Sequence, residues 1–298
     1  MITTVRVKMP TGKKCVACLT FDFDAISIWL GTFKRKTPTA VSRGEFCIVG
    51  VQRILELLEK YSIKSSWFIP GYDIETYPDV VKEIFSLGHE IAHHNYLHET
   101  PVELALEEER KIIKQGINCI KKITGSKPAG YRSPAWDLSP NTINLLLEEG
   151  FVYDSSMIAH DYLPYKVRSG DAASQGSPFK FGRETNLIEL PVSWSLDDFP
   201  HFEFFPSNPG SGLRAGSAVL ENWLNDFDYM YSNVPGGIFN LCCHPFVIGR
   251  GHRMIVLEKL IQHMMSKDRV WFTRIIDVAE ACNLRTNNKK PKLSQAIP

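Results

Sequence analysis

Short apolar runs alternate along this chain with longer segments in which apolar residues recur every three or four positions. The first pattern predicts buried strands and the second predicts amphipathic helices. Predicted strands lie at residues 15–21, 63–69, 89–92, 130–132, 151–154, 187–192, 237–243 and 270–273, and predicted helices at 49–61, 77–87, 102–124, 139–149, 215–231 and 253–266. This alternation predicts a parallel sheet with helices outside it, and seven or eight such units would close into a (β/α) barrel.

The chain shows no internal repeat and no linker that would divide it, so we predict a single catalytic domain over residues 1–284. Residues 159–184 and 195–212 are rich in Gly, Pro, Ser and aromatic residues. Segments of this length without a strand or helix pattern are typically lids, binding loops or disordered. The polar stretch 285–298 is predicted to be a mobile tail.

Composition narrows the class of protein. The 298 residues are 44% hydrophobic and carry a formal net charge of +1, which gives no reason to expect a nucleic-acid or membrane-surface partner. No apolar run reaches the length of a membrane span, and the N-terminal residues lack the pattern of a secretory signal. The seven cysteines, an odd number, fit a reducing compartment. We therefore expect a cytoplasmic protein.

Two carboxylates, Asp22 and Asp24, end the first predicted strand. Residues two apart in an extended chain point to the same side, so both acids can face one pocket. Two neighbouring carboxylates repel each other unless a cation or a proton lies between them. The alternative is that they cap a helix or meet solvent. Active sites of (β/α) barrels collect at the carboxyl ends of the strands, which favours a functional role.

Four of the nine histidines fall within ten residues, at the start of the third predicted strand and just after its end. His94 and His98 are four apart, so on a helical turn they would share a face and could bind one divalent ion. His89 and His93 have the same spacing, but His89 begins the strand, where this spacing does not converge. We therefore favour the later pair, although a single histidine is more often a core or surface residue than a ligand.

Three further polar residues follow predicted strands. Arg132 could hold a buried carboxylate ionised, or could be a surface arginine before a turn. Asp154 could orient a histidine, and His244 could act as a general acid to a leaving amine. Each of these signals is modest alone, but together they form an ordered set.

In this ordered set the sequence resembles the polysaccharide deacetylase (NodB-homology) family. The resemblance runs through Thr20-Phe-Asp22-Phe-Asp24, His94-Asn-Tyr-Leu-His98 and Arg132-Ser-Pro-Ala-Trp136 to Asp154 and His244. It implies a distorted (β/α) barrel in which Asp22 is the catalytic base. It further implies that a metal ion is bound by Asp24, His94 and His98, that Arg132 tethers the base, and that Asp154 orients the catalytic His244. We also assign Trp136, Tyr96 and Phe23 to the substrate pocket.

Two departures from the usual family motifs point to a subgroup. Phe23 separates two acids that are adjacent in most members acting on polysaccharides, and Cys242 stands where a leucine is usual. Both features are similar to a subgroup of peptidoglycan deacetylases without secretion signals, allantoinase-like proteins and cyclic imidases. Members of that subgroup tend to be oligomers with enclosed sites, so the resemblance implies a homo-oligomer, a dimer or tetramer, and a small or short saccharide substrate.

The predicted function is a metal-dependent hydrolase that removes an acyl group from an N-acetylated sugar or a small amide. Zn²⁺ is the expected ion, with Co²⁺, Ni²⁺ and Mn²⁺ as alternatives. One rival is a cyclic amide hydrolase of the imidase or allantoinase type, since the same chemistry opens such rings. The other is a non-catalytic barrel that only binds a ligand, which the complete set of candidate residues disfavours.

Overall fold

A computed structural model describes residues 2–205 and 211–283 of the chain. The strands within these residues are β1 (Cys15–Asp22), β2 (Ser66–Ile69), β3 (Glu90–His93), β4 (Gly130–Tyr131), β5 (Tyr153–Asp154), β6 (Tyr165–Ser169), β7 (Arg183–Glu189), β8 (Ile238–Cys243) and β9 (Val270–Phe272). The helices are α1 (Ser27–Gly31), α2 (Pro38–Lys60), α3 (Gly71–Thr76), α4 (Pro78–Ser86), α5 (Leu106–Thr124), α6 (Thr142–Glu149), α7 (Asp198–Phe202), α8 (Gly216–Asn233), α9 (Pro245–Ile248), α10 (Gly251–Met265) and α11 (Ile275–Asn283).

The strands form one curled sheet in the order β6-β7-β5-β4-β3-β2-β1-β8, with β9 also paired to β1. All pairs are parallel except β6 with β7, which run antiparallel. The predicted distorted (β/α) barrel is therefore confirmed. The differences are the antiparallel β6 and β7 hairpin, which occupies much of the segment 159–184, and the brevity of β4 and β5, each of two residues.

Among the strands of the described residues, the sheet does not close into a full barrel: β8 is its last strand on one side and β6 its last on the other, and a seam separates β8 from the segment that follows β7. Side-chain hydrogen bonds span that seam. The amide nitrogen of Asn240 on β8 donates to the carbonyl oxygens of Leu190 and Pro191, which follow β7, at 3.3 and 3.0 Å. It also lies 3.2 Å from the hydroxyl of Ser155. The fold is thus a half-barrel whose open side is bridged by the amide of Asn240, by an isolated backbone bridge between Asp197 and Cys242, and by the backbone bond from Ile238 N–H to the carbonyl oxygen of Tyr162.

Strand β1 does not alternate between apolar and polar residues, and its two buried faces explain this pattern. Its odd-numbered residues pack outward against the helices, in the largest hydrophobic cluster. Val16 and Cys18 instead face the barrel interior, in a cluster that includes residues of α11. Since both faces are buried, the strand reads as continuous apolar sequence. The same two-residue period places Thr20 and Asp22 on the inner face, and Asp22 lies at the carboxyl end.

Local signals set several helix ends. The side chain of Thr37 caps α2, whose first residue is Pro38, and this combination begins the helix well before the predicted start at residue 49. Gly125 ends α5 with a φ of 78°, as the glycine there predicts. Between residues 195 and 205 the chain forms α7 after a short 3₁₀ turn, Trp194–Leu196, rather than an open loop.

The predicted tail, 285–298, and the centre of the second long loop, 206–210, lie outside the described residues. Among the helices of the described segments, none combines the length and apolar character needed to cross a lipid bilayer.

Candidate active site

The two acids of the first motif lie at the carboxyl end of β1 and face the same pocket. Asp22 is the last residue of the strand, and Asp24 follows it; both are buried. Phe23 points the other way and packs against Trp67 and Tyr77, with ring centroids 6.5 and 6.3 Å away. Because Phe23 is fully buried in this core, the prediction that it lines the substrate pocket is wrong.

Asp24 is surrounded by imidazoles. Its Oδ1 lies 3.4 Å from Nε2 of His94, and its Oδ2 lies 3.3 Å from Nε2 of His98. The ligand atoms of these three buried residues all lie within 4.8 Å of one another, which is the geometry of a candidate metal site.

The two histidines meet through a loop, and the helical turn assumed from their spacing is absent. His94 follows β3 directly, and residues 94–98 have no helical structure. Asn95 and His98 adopt left-handed backbone conformations, with φ of 58° and 56°. These conformations are costly for residues other than glycine, so the loop is held in a strained geometry at this point.

Hydrogen bonds fix how both imidazoles face Asp24. Nδ1 of His94 donates to the backbone carbonyl oxygen of Arg132 at 2.7 Å. Nδ1 of His98 lies 2.5 Å from the hydroxyl of Thr32, which itself donates to the carbonyl oxygen of His98 at 2.9 Å. Since the hydroxyl proton is used there, Nδ1 of His98 is the donor. Each ring therefore turns its Nε2 toward Asp24, the orientation that metal-binding histidines usually have.

The carboxylate of Asp24 has the properties of a cation ligand. Burial acts to raise its pKa, but His98, His94 and His244 outweigh that effect and hold the pKa below its ordinary value. Neither carboxylate oxygen has a hydrogen-bond partner although both are fully buried. An orphaned, ionised carboxylate in the interior is unfavourable unless a cation compensates it. The residues present therefore fit a divalent metal ion.

The earlier pair of histidines has structural roles. His93 stacks on Tyr131, with ring centroids 5.4 Å apart, and its Nε2 donates to the carbonyl oxygen of Ile113 at 2.9 Å. Nδ1 of His89 accepts a hydrogen bond from the backbone N–H of Ser65 at 3.1 Å. The choice of the later pair thus agrees with the geometry.

Asp22 is held by an arginine. Nη1 of Arg132 donates to Oδ1 of Asp22 at 2.6 Å and to the hydroxyl of Thr20 at 3.0 Å. Burial acts to lower the pKa of Arg132, but the carboxylate of Asp22 outweighs it and raises that pKa. The thiol of Cys242 donates to the other oxygen of Asp22 at 3.4 Å. The expected tether from Arg132 to Asp22 is present, and Cys242 adds a second contact.

His244 lies across the pocket, with its Nε2 3.4 Å from Oδ2 of Asp24. Its Nδ1 donates to Oδ1 of Asp198 at 2.8 Å, and its backbone N–H donates to the same carboxylate at 2.9 Å. Asp197 lies 3.5 Å from Nδ1. Burial acts to lower the pKa of His244, but Asp197 and Asp198 outweigh it and raise the pKa to about 10. The imidazole is therefore charged at neutral pH and can donate a proton.

Asp154 does not contact His244, so its predicted orienting role is wrong. Asp154 accepts a hydrogen bond from the hydroxyl of Ser156 at 2.8 Å, and it pairs in register with Glu189 on β7. Burial and the neighbouring Asp154 raise the pKa of Glu189 well above its ordinary value. Asp154 and Glu189 thus lie side by side in the wall of the barrel. Sequence reasoning missed Asp198 because it follows no apolar strand run; its one signal is the adjacent acidic pair in Ser-Leu-Asp197-Asp198-Phe.

A second group of possible ligand atoms, on Asp197, Cys242 and His244, adjoins the first. Burial raises the pKa of the Cys242 thiol well above its ordinary value, so the sulfur stays protonated. A protonated thiol is a poor metal ligand, and the Nδ1 of His244 is already bonded to a carboxylate. This group therefore serves to hold the histidine.

The two other predicted pocket residues differ in placement. Trp136 stacks on Trp194, with ring centroids 4.2 Å apart, and Trp194 is 47% exposed. Ala135 and Trp136 have left-handed φ values of 53° and 52°, so this turn is strained as well. Tyr96 instead donates its hydroxyl to Glu75 at 2.9 Å, toward the outer helices, so the prediction that it lines the pocket is wrong.

Comparisons with known proteins agree with this geometry. Residues 8–153 match the profile of the family described as polysaccharide deacetylase. The chain is 34% identical to the peptidoglycan deacetylase of Helicobacter pylori over 292 residues, covering 94% of this chain and 100% of that protein. A peptidoglycan deacetylase-like protein of Gibberella zeae is 30% identical, over 88% of this chain and 84% of its own length.

Solved structures are also similar. A Mycobacterium smegmatis protein described as a polysaccharide deacetylase superposes with a TM-score of 0.83 and 34% identity, covering 100% of this chain and 99% of that one. The crystal structure of an allantoinase superposes with a TM-score of 0.76, covering 96% and 95% of the two chains. At 22% identity, the allantoinase shows a shared fold alone.

Proposed function

Since the chain belongs to the polysaccharide deacetylase family, we propose that it is a metal-dependent enzyme that removes the acetyl group from an N-acetylated sugar. Enzymes of this family are hydrolases acting on carbon–nitrogen bonds other than peptide bonds, and this chain is one of them. The observation that carries the proposal is the buried Asp24, unpaired and facing two imidazoles beside the arginine-held Asp22.

The proposed metal ligands are Asp24, His94 and His98, and Zn²⁺ suits one carboxylate and two imidazoles. Co²⁺, Ni²⁺ and Mn²⁺ accept similar ligands. When bound, such an ion polarises the amide carbonyl and makes water more acidic. Asp24 and His94 follow the ends of β1 and β3, so the sheet sets their placement, whereas His98 is positioned by the loop after His94.

Asp22 is the proposed general base. The ion pair with Arg132 holds the carboxylate in one orientation, with Oδ1 facing the guanidinium. Oδ2 lies 4.0 Å from Nε2 of His94, so it borders the candidate metal site. From this position the carboxylate can take a proton from the attacking water.

His244 is the proposed general acid. Asp198 fixes its ring by accepting from both the backbone N–H and Nδ1, which leaves Nε2 facing the pocket. The charged imidazole can then donate its Nε2 proton to the nitrogen that leaves as the amide bond breaks. Base and acid thus border Asp24 on different sides, as acyl transfer to water requires.

We expect Asp198→Asn to lower kcat for an N-acetylated sugar by about 10²-fold, the lower end of general acid contributions. The amide cannot support the charge on His244. Hydrolysis of 4-nitrophenyl acetate should change little, because its leaving group needs no proton. The matched control is Asp154→Asn, whose side chain keeps an oxygen for the hydroxyl of Ser156 and which should keep near-wild-type activity on both substrates. Equal losses on amide and ester in Asp198→Asn would contradict this role.

A saccharide substrate is supported by the relatives and by the paired indoles. The relatives in Helicobacter pylori and Gibberella zeae are a peptidoglycan deacetylase and a peptidoglycan deacetylase-like protein. Trp194 lies three residues before the Asp197–Asp198 pair, and Trp136 lies four residues after Arg132. The stacked indole rings therefore connect the segment that holds the proposed acid, His244, with the segment that holds the proposed base, Asp22. Exposed indole is suited to the apolar face of a sugar ring.

The test is a comparison of two reactions with the purified, metal-loaded protein. We expect acetate release from N-acetylglucosamine oligomers or peptidoglycan fragments, with no ring opening of succinimide or allantoin. Acetate is measured enzymatically and ring opening by loss of ultraviolet absorbance. Ring opening without acetate release would instead establish the cyclic amide hydrolase. Absence of both in a protein that binds metal would leave neither function standing.

A further inference from the structure

A surface pocket of about 290 Å³ is lined by three arginines, away from the residues assigned to catalysis. Arg43 reaches it from α2, Arg250 from the residue before α10, and Arg253 from the first turn of α10. Glu203 is the single carboxylate that lines it. The pocket therefore carries two positive charges more than negative ones.

The positive charges of this cluster are only partly compensated. Glu203 forms an ion pair with Arg43. The side chain of Arg250 makes no hydrogen bond or ion pair with any residue of the described segments; its guanidinium lies 3.5 Å from the ring centroid of Phe46. Burial and the nearby Arg53 lower the pKa of Arg250, so a further cation adjoins the cluster. Like charges placed together without counter-ions destabilise a fold.

Arg253 adds a buried donor that lacks an acceptor. Its side chain is 8% exposed, and its two terminal nitrogens donate to the carbonyl oxygens of Val247 and Phe202 at 3.0 and 3.1 Å. Its Nε is buried and has no hydrogen-bond partner within the described residues. A buried guanidinium N–H left unpaired is unfavourable, which points to an absent acceptor.

The start of α10 strengthens the positive field. This helix has fifteen residues, its N-cap is Arg250, and its first turn contains no acidic residue. Helix N-termini favour negative charge, so two arginines at this end lower the stability of the helix. A Cβ built on Gly251, the first residue of α10, would meet no atom of the described residues within 4 Å, so the space beside this residue is open. Open backbone N–H groups beside guanidinium groups form an anion-binding arrangement.

We propose that this pocket is a binding site for an oxyanion, a phosphate or carboxylate group. Planar guanidinium groups pair with such groups in bidentate fashion, and the N-terminus of α10 contributes the same preference. Arg253 bonds the end of α7, which begins at Asp198, and α9, which follows His244. The oxyanion site thus adjoins the segments that hold His244. It does not depend on the proposed deacetylase function.

The test is a titration of the metal-loaded protein with inorganic phosphate, followed by calorimetry, and a parallel titration with succinate to separate phosphate from carboxylate ligands. We expect saturable binding of at least one of them in the millimolar range or tighter. Arg250→Gln, which removes no hydrogen bond, should weaken binding by about tenfold or more, as loss of a charge-assisted contact does. The charge-matched control is Arg183→Gln, at an exposed residue of β7, and should bind like the wild type.

The metal site is the competing location for an anion, and one variant separates the two. Binding at the arginine pocket should persist in His94→Ala. Binding that survives Arg250→Gln and disappears in His94→Ala would overturn the proposal. So would the absence of saturable binding of both anions up to about 20 mM, a concentration well above a millimolar dissociation constant. The proposed deacetylase function stands or falls separately, since acetate release is not measured in these titrations.

Discussion

Replacement of His94 by alanine is expected to abolish metal binding and to reduce turnover of an N-acetylated sugar by more than about 10³-fold. The reason is that the ion would keep only Asp24 and His98 as protein ligands, and the several kcal/mol of transition-state stabilisation that a metal supplies would be lost with it. Metal content is measured by mass spectrometry on dialysed protein, and turnover by acetate release. Exhaustive chelation of the wild type should have the same effect, and added Zn²⁺ should restore activity only to the wild type.

The control is His263→Ala. His263 is a partly exposed histidine whose Nε2 pairs with Asp228 on the outer helices at 2.9 Å, away from the metal ligands. This variant should keep both metal and turnover. Because His94 is buried, circular dichroism must show that the His94 variant is folded; if it is not, His98→Ala provides the same test. A folded His94→Ala protein that retains its metal would refute the ligand assignment.

Asp22→Asn is expected to lower kcat by about 10²- to 10⁴-fold, the usual contribution of a general base, while the metal stays bound. The asparagine keeps an oxygen facing Arg132 but cannot accept the proton of the attacking water. We also expect lower thermal stability, because Arg132 is fully buried and loses its charged partner. Kinetics, metal analysis and a melting curve on the same sample separate these effects.

The matched comparison is Asp24→Asn, two residues along the chain. That variant should lose the metal together with activity, whereas Asp22→Asn should lose activity alone. If Asp22→Asn also lost its metal, Asp22 would have to be counted as a ligand. Its Oδ2 lies 4.0 Å from Nε2 of His94, which places this carboxylate next to the proposed metal ligands.

The strand-end rule explains why much of the candidate site was accessible from sequence. Asp22, His94, Arg132 and His244 each follow an apolar run at or near its end, and parallel strands bring those ends to one rim. The fold was predictable for the same reason, because alternating strands and helices predict a parallel sheet with helices outside it. These arguments need only the period of the apolar residues and the direction of the strands.

The residues that sequence reasoning misplaced lie where no periodic pattern applies. Asp198 reaches His244 from a short helix after a 3₁₀ turn, so no rule of strand ends leads to it. Asp154 does end a strand, but β5 is only two residues long and its carboxyl group turns to the neighbouring Glu189. Phe23 obeys the alternation of an extended chain, which sends it away from the pocket that Asp22 and Asp24 face.

The seam between β7 and β8 is both the place where the sheet is left open and the place where the proposed proton donor is held. Elsewhere a row of peptide groups joins adjacent strands, but here the side-chain amide of Asn240 and an isolated backbone bridge between Asp197 and Cys242 make the connection. Asp198 follows β7 in the chain, whereas its partner His244 follows β8, so their bond crosses the same seam. Any breathing that parts these two strands would release the proton donor from its support while leaving the residues on β1 and β3 in place.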